Sequence, residues 1–98
     1  MLEAYLVGDI ARISLGVTDL TGLIADPGGL VLRVKSASGS VSAYTYGTDA
    51  VIVRDGPGAY HADIPLTAPG QWAYRWECSA PNAGAAEGVI NVQKSRVI

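Results

Sequence analysis

From Ile10 onward the chain alternates apolar and polar residues in short runs broken by glycine, proline and aspartate. That period of two belongs to strands with one buried face. Ala11, Ile13, Leu15 and Val17 share a face against Arg12 and Ser14, and Leu30, Leu32 and Val34 oppose Val31, Arg33 and Lys35. Between these runs, Asp19, Gly22, Asp26-Pro27 and Gly28-Gly29 mark a loop of turn formers, with room for a short strand at Leu23–Ala25. After Ser38-Gly39-Ser40, Val41–Tyr46 alternates again, with Tyr44 and Tyr46 on one side and Val41, Ala43 and Thr45 on the other. Either side could face inward. Val51-Ile52-Val53 reads as a short strand, Asp55-Gly56-Pro57-Gly58 as a turn, and Ala86–Val92 as the last strand with Ile90 and Val92 inward.

Gly58–Leu66, Pro69-Gly70 and Gln71–Cys78 together predict a β-hairpin closed by the Pro-Gly turn. Tyr60, Ala62, Ile64 and Leu66 fall on one face of its first strand, and Trp72, Tyr74 and Trp76 on one face of its second. Gln71, Ala73, Arg75 and Glu77 form the wet side, so the rings point inward. Tyr60, Trp72, Tyr74 and Trp76 are thus the expected structural core. About seven short strands, and no sustained period of 3.6, predict an all-β chain folded as one antiparallel β-sandwich over residues 1–98. Leu2–Val7 reads as an ordinary edge strand of that domain. The alternative makes the ends, 1–8 and 93–98, short arms that add to a neighbour's sheet.

Composition changes the picture in one respect. Hydrophobic residues make up 49% of the 98 and charged residues only 16%, against roughly 25% charged in ordinary globular chains. Part of the surface is therefore uncharged, either as a contact surface or because short strands and Ala- and Gly-rich loops dilute the charge. The net charge is −2 and the basic residues are scattered singly, which argues against nucleic-acid binding. The first residues lack the basic and apolar blocks of an export signal, and the apolar runs are too short to span a bilayer as helices. Cys78 is the sole cysteine, which excludes an internal disulfide and suits a reducing cytoplasm.

Candidate chemistry is sparse. His61 and Asp63 point the same way from one strand, but zinc takes three or four donors, and no metal site is expected. Asp9, Asp19, Asp26, Asp49 and Asp55 all fall in predicted turns, where an aspartate caps its own backbone, and none has calcium-loop spacing. Gly56-Pro57-Gly58 lacks the third glycine and the following helix of a phosphate-binding loop. No serine or cysteine adjoins the single histidine, and nothing sets Glu77 and Glu87 in a cleft as acid and base. The expectation is a protein with no catalytic residues and no cofactor.

Several motifs combine into a pattern: Gly8-Asp9, Asp26-Pro27, Tyr44-x-Tyr46-Gly47, Val53-Arg54-Asp55-Gly56-x-Gly58-x-Tyr60-x-Ala62-x-Ile64, Pro69-Gly70-x-Trp72-x-Tyr74-Arg75-Trp76 and Glu87-Gly88-x-Ile90-x-Val92. The pattern covers nearly the whole chain and resembles the small free-standing immunoglobulin-like proteins found among the structural genes of tailed bacteriophages and prophages. Asp55–Ala62 is similar to the tyrosine corner of immunoglobulin-like sandwiches, in which a tyrosine hydroxyl returns to an upstream backbone group; Ala62 would then stand where antibody domains carry cysteine. The resemblance implies an immunoglobulin-like sandwich and a virion component at the head, neck or tail, made in the bacterial host cytoplasm. Its partners would be copies of itself or neighbouring capsid, neck or tail proteins, with no nucleic acid or membrane among them. The alternative is a carbohydrate or cell-surface binding module with Tyr44 and Tyr46 as an aromatic platform.

Overall fold

The computed structural model describes residues 5–79, 84–94 and 96–97, which form strands and turns only. The strands are β1 (Tyr5–Leu6), β2 (Ile10–Gly16), β3 (Gly29–Lys35), β4 (Val41–Thr45), β5 (Ile52–Gly56), β6 (Ala59–Pro65), β7 (Gly70–Ser79) and β8 (Gly84–Gln93). They make a five-stranded sheet in the order β1-β8-β7-β3-β4 and a three-stranded sheet in the order β2-β6-β5. All pairings are antiparallel except β1 with β8. With β2, β6 and β5 in the places of B, E and D, and β8, β7, β3 and β4 in those of G, F, C and C′, this is an immunoglobulin-like sandwich. The described residues form eight strands, in keeping with the expected count of about seven, and Tyr5–Leu6 pairs with Val92–Gln93 as an edge strand. The expected arms at 1–8 and 93–98 fall partly outside the described residues, at 1–4, 95 and 98.

One cluster of buried residues lies between the sheets. Ala11, Ile13, Ile52, Tyr60, Ala62 and Ile64 come from the three-stranded layer, and Leu30, Leu32, Val34, Trp72, Trp76 and Val92 from the five-stranded layer. Alternation along each strand accounts for this list, since β3 and β6 both bury every second residue.

The expected hairpin does not form. β6 and β7 belong to different sheets, and the residues between them carry the chain across the core. Leu66, fully buried, donates its N–H to the Asp9 carbonyl (2.8 Å) and accepts from the Gly8 N–H (2.8 Å), so its backbone bonds to the turn before β2 instead of to β7. The physical reason is burial. In a hairpin the two ring-bearing faces would lie side by side on one surface, whereas in separate layers they face each other and shield both from water.

Tyr60, Trp72 and Trp76 are buried, at 3%, 6% and 1% exposure. Tyr74 differs and is only partly buried. It pairs with Gly88 on the edge-ward strand β8, and a Cβ at Gly88 would collide with the tyrosine ring, so the ring lies across the bare Gly88 backbone. The two indoles also differ. Trp72 Nε1 donates to the Ala68 carbonyl at 2.9 Å, while Trp76 Nε1 has no hydrogen-bond partner among the described residues.

Strand limits shift in two places. β5 runs on through Arg54, Asp55 and Gly56, with a register shift between Arg54 and Gly56, so the turn narrows to Pro57-Gly58. Leu23–Ala25 contributes only an isolated bridge, Thr18 with Ile24.

Trp76→Ala is expected to cost about 3–5 kcal/mol in urea denaturation, the range for removing a fully buried ring. An unchanged midpoint would place the indole outside the core.

Candidate interaction surface

The loop between β2 and β3 carries three exposed large apolar side chains: Leu20 stands fully in solvent, Leu23 is 67% exposed and Ile24 70%. Their exposure is built into the loop. Asp19 Oδ1 accepts from the Thr21 N–H (2.8 Å), the Thr21 hydroxyl (2.6 Å) and the Leu23 N–H (3.1 Å), closing a tight turn with Leu20 at its tip. The Asp19 N–H donates to the Leu23 carbonyl and the Ala25 N–H to the Val17 carbonyl, so the loop returns on itself as a small ladder. These bonds hold the Asp19 carboxyl below its usual range, the Thr21 hydroxyl contributing most.

A second carboxylate fastens the loop to the body. Asp26 Oδ1 accepts from the Tyr60 hydroxyl (2.7 Å), the Gly58 N–H (2.9 Å) and Arg54 Nε (3.2 Å), and Oδ2 accepts from Arg54 Nη2 (2.8 Å). Three donor types converge on one residue. Arg54 is the largest cause, followed by Gly58 and Tyr60, of an Asp26 carboxyl held far below the ordinary carboxylate range. Burial, then the nearby carboxylate, push the Tyr60 phenol up.

Gly58 lets the loop come this close. Its φ is +65°, and a Cβ there would lie 2.6 Å from the Val17 carbonyl oxygen and 2.7 Å from Ile24 Cγ2. Its own carbonyl accepts from the Val17 N–H at 2.7 Å. Tyr46, 41% exposed, closes the edge of the cluster with its ring 5.3 Å from that of Tyr60 in a T-shaped contact.

The tyrosine corner expected at Tyr60 is therefore replaced by a different device. The hydroxyl reaches a side chain of the preceding loop, and Tyr60 lies on the central strand of the three-stranded sheet, at position E, whereas the corner belongs to strand F. Ala62, on the same strand, does not occupy the antibody cysteine position either.

A second surface is the outer face of the five-stranded sheet. Arg33 Nε bonds Glu77 Oε1 (2.8 Å), Arg75 Nε bonds Glu77 Oε2 (3.0 Å), and Arg75 Nη1 bonds Glu87 Oε2 (2.8 Å), a ladder across β3, β7 and β8. Beside it lies an open depression of about 390 Å³ between the exposed Val41 and Val89, floored by Ala73. Glu77 and Glu87 are thus partners of arginines.

The remaining candidates disperse. His61 Nδ1 lies 2.7 Å from Asp55 Oδ2, Asp63 bonds Arg12 at 2.8 Å, and His61 Nε2 is 4.0 Å from Asp63. Asp9 and Asp49 accept from nearby backbone N–H groups, as turn aspartates should, but Asp26 and Asp55 reach side chains. Tyr44 and Tyr46 do not form one platform, since Tyr44 packs against the core and Tyr46 against Tyr60. Cys78 is partly buried, which raises its thiol pKa. Sequence reading missed the role of Asp26. The Gly28 N–H, two residues on and the donor a turn aspartate would cap, goes instead to the Ser79 carbonyl at 3.1 Å, a pairing with no local sequence signal.

No protein-family model, no curated protein and no solved structure matches the chain.

Tyr60→Phe is expected to lose about 1–2 kcal/mol in urea denaturation, the hydroxyl's bond to a charged acceptor. Because the Asp26 carboxyl is depressed in the folded state, the unfolded chain takes up this proton first as acid is added. The stabilisation is complete above about pH 4, the ordinary carboxylate value, and is lost as pH falls below it. Asp26→Asn should lower the melting temperature at neutral pH and flatten its decline in acid. An unaltered acid profile would remove Asp26 from the account.

Proposed function

We propose that the chain is a non-enzymatic structural component of a tailed-bacteriophage virion, at the head-to-tail connector, tail or capsid, binding its neighbours through loops, strand edges or terminal segments. The observation that carries the assembly role is the rigid display of Leu20, Leu23 and Ile24. Exposed apolar side chains cost solvation, and here two carboxylates hold the loop that presents them. A loop of this kind on a rigid sandwich is a contact device. The phage context rests on the sequence motifs, and the low proportion of charged residues suits a surface covered in an assembled particle.

Mass spectrometry of purified particles from the encoding prophage should find the chain among the virion proteins. Particles complete without it would overturn the reading. Leu20→Glu with Leu23→Glu is expected to leave stability within about 0.5 kcal/mol while removing the chain from particles. Normal incorporation would contradict the loop's role.

A further inference from the structure

The loop between β2 and β3 sets a negative charge beside its apolar tip. Asp19 takes its hydrogen bonds from the loop itself, through the Thr21 and Leu23 donors, and pairs with no cation among the described residues, while Leu20 next to it stands in solvent. Asp26, the loop's other acid, is matched by Arg54, and residues 18–28 include no lysine or arginine. The tip therefore offers one leucine and one uncompensated carboxylate.

The outer face of the five-stranded sheet offers the converse. Val41, Lys35, Ala73 and Val89 lie in one row across β4, β3, β7 and β8, and Ala73 is the smallest of the four, so the row sinks there into the depression of about 390 Å³. Val41 and Val89 are its exposed apolar walls. Arg33 and Arg75 beside it are held by Glu77 and Glu87, whereas the exposed Lys35 has no carboxylate partner among the described residues. The depression therefore offers an apolar floor and one uncompensated ammonium.

Position decides which copy can fill it. The loop enters β3 at Gly29 and Lys35 is the last residue of that strand, so tip and depression belong to opposite ends of a strand about 20 Å long. Asp26 holds the loop to Gly58 and Tyr60, so the tip cannot swing over its own sheet.

We infer that the loop tip of one copy docks into the depression of a second copy, with Leu20 on Ala73 between Val41 and Val89 and the Asp19 carboxylate against Lys35 Nζ. This deepens the assembly role proposed above and rests on it. A second copy is the occupant because one chain carries both halves of the match, apolar surface for apolar surface and carboxylate for ammonium. The contact is heterologous. Each copy gives its tip to one neighbour and its depression to another, so copies add head to tail until a ring closes or a filament extends. A single tip covers little area, which makes one contact weak and leaves the assembled array to hold it.

The full chain, isotope-labelled, tests this by analytical ultracentrifugation and NMR. The average sedimenting mass should rise past that of a dimer as concentration increases, with the amides of residues 20–24, Lys35 and Ala73 shifting over the same range. Leu20→Glu removes the tip, and Ala73→Glu fills the depression and neutralises Lys35. Each variant alone should keep the wild-type far-ultraviolet spectrum and stay monomeric. Mixed, they hold one intact tip and one intact depression between them, and they should form a one-to-one dimer that grows no further. Lys35→Glu should abolish association and Lys35→Arg should keep it. A wild-type chain still monomeric at millimolar concentration overturns the inference. So does association that ends at a dimer, that survives Leu20→Glu or Lys35→Glu, or that fails to return in the mixture. Particle composition is read separately: a head-to-tail assembly missing from particles overturns the virion role alone, and an incorporated chain that does not self-associate overturns this inference alone.

Discussion

Burying a tyrosine ring commits the fold to finding a partner for its hydroxyl, and in this chain that partner is Asp26. Tyr60 sits at the centre of the three-stranded layer with its ring in the core and its oxygen 2.7 Å from the Asp26 carboxylate. Left without an acceptor, a buried hydroxyl costs enough to cancel much of what the ring contributes. The same carboxylate gathers Arg54 from β5 and the Gly58 N–H from the β5–β6 turn, so one contact fixes a core side chain, a hairpin and the long loop preceding β3. Gly58 makes the arrangement sterically feasible, since any side chain there would strike the loop backbone.

The outer surface follows from that anchoring. A loop tied at Asp26 and closed at Asp19 cannot fold Leu20, Leu23 and Ile24 back over the core, whose inner positions are already filled from both sheets. The sheet faces behave differently, carrying ion pairs spaced by strand alternation, such as Arg33–Glu77–Arg75–Glu87. Such exposed pairs contribute little stability but keep the face soluble. Exposed apolar side chains therefore stand together in the loop and flank the Val41–Val89 depression, with others single at Leu6, Ile10, Val53 and Val97.

Local alternation made the strands legible: β2, β3, β6, β7 and β8 all lie where the period of two places them, and the inward residues of β3 and β6 follow directly. Relations between strands were less legible. Pro69-Gly70 has the residues of a hairpin turn, yet the backbone bonds of Leu66 to the Gly8–Asp9 turn send β7 to the other layer, a contact between segments far apart in sequence. Asp26 read as one more turn aspartate because its donors lie 28 to 34 residues away. Tyr74 shares the parity of Trp72 and Trp76 but not their depth, because parity fixes a face and only the neighbouring strand, here Gly88 of β8, fixes what covers it.

The interaction on which these features depend can be isolated by a double-variant cycle of Tyr60→Phe and Asp26→Asn, followed by chemical denaturation at neutral pH. If the hydroxyl and the carboxylate stabilise the fold through each other, the double variant loses clearly less than the two single losses added together. Strict additivity would mean that Tyr60 and Asp26 act independently, and the loop would then owe its position to something else.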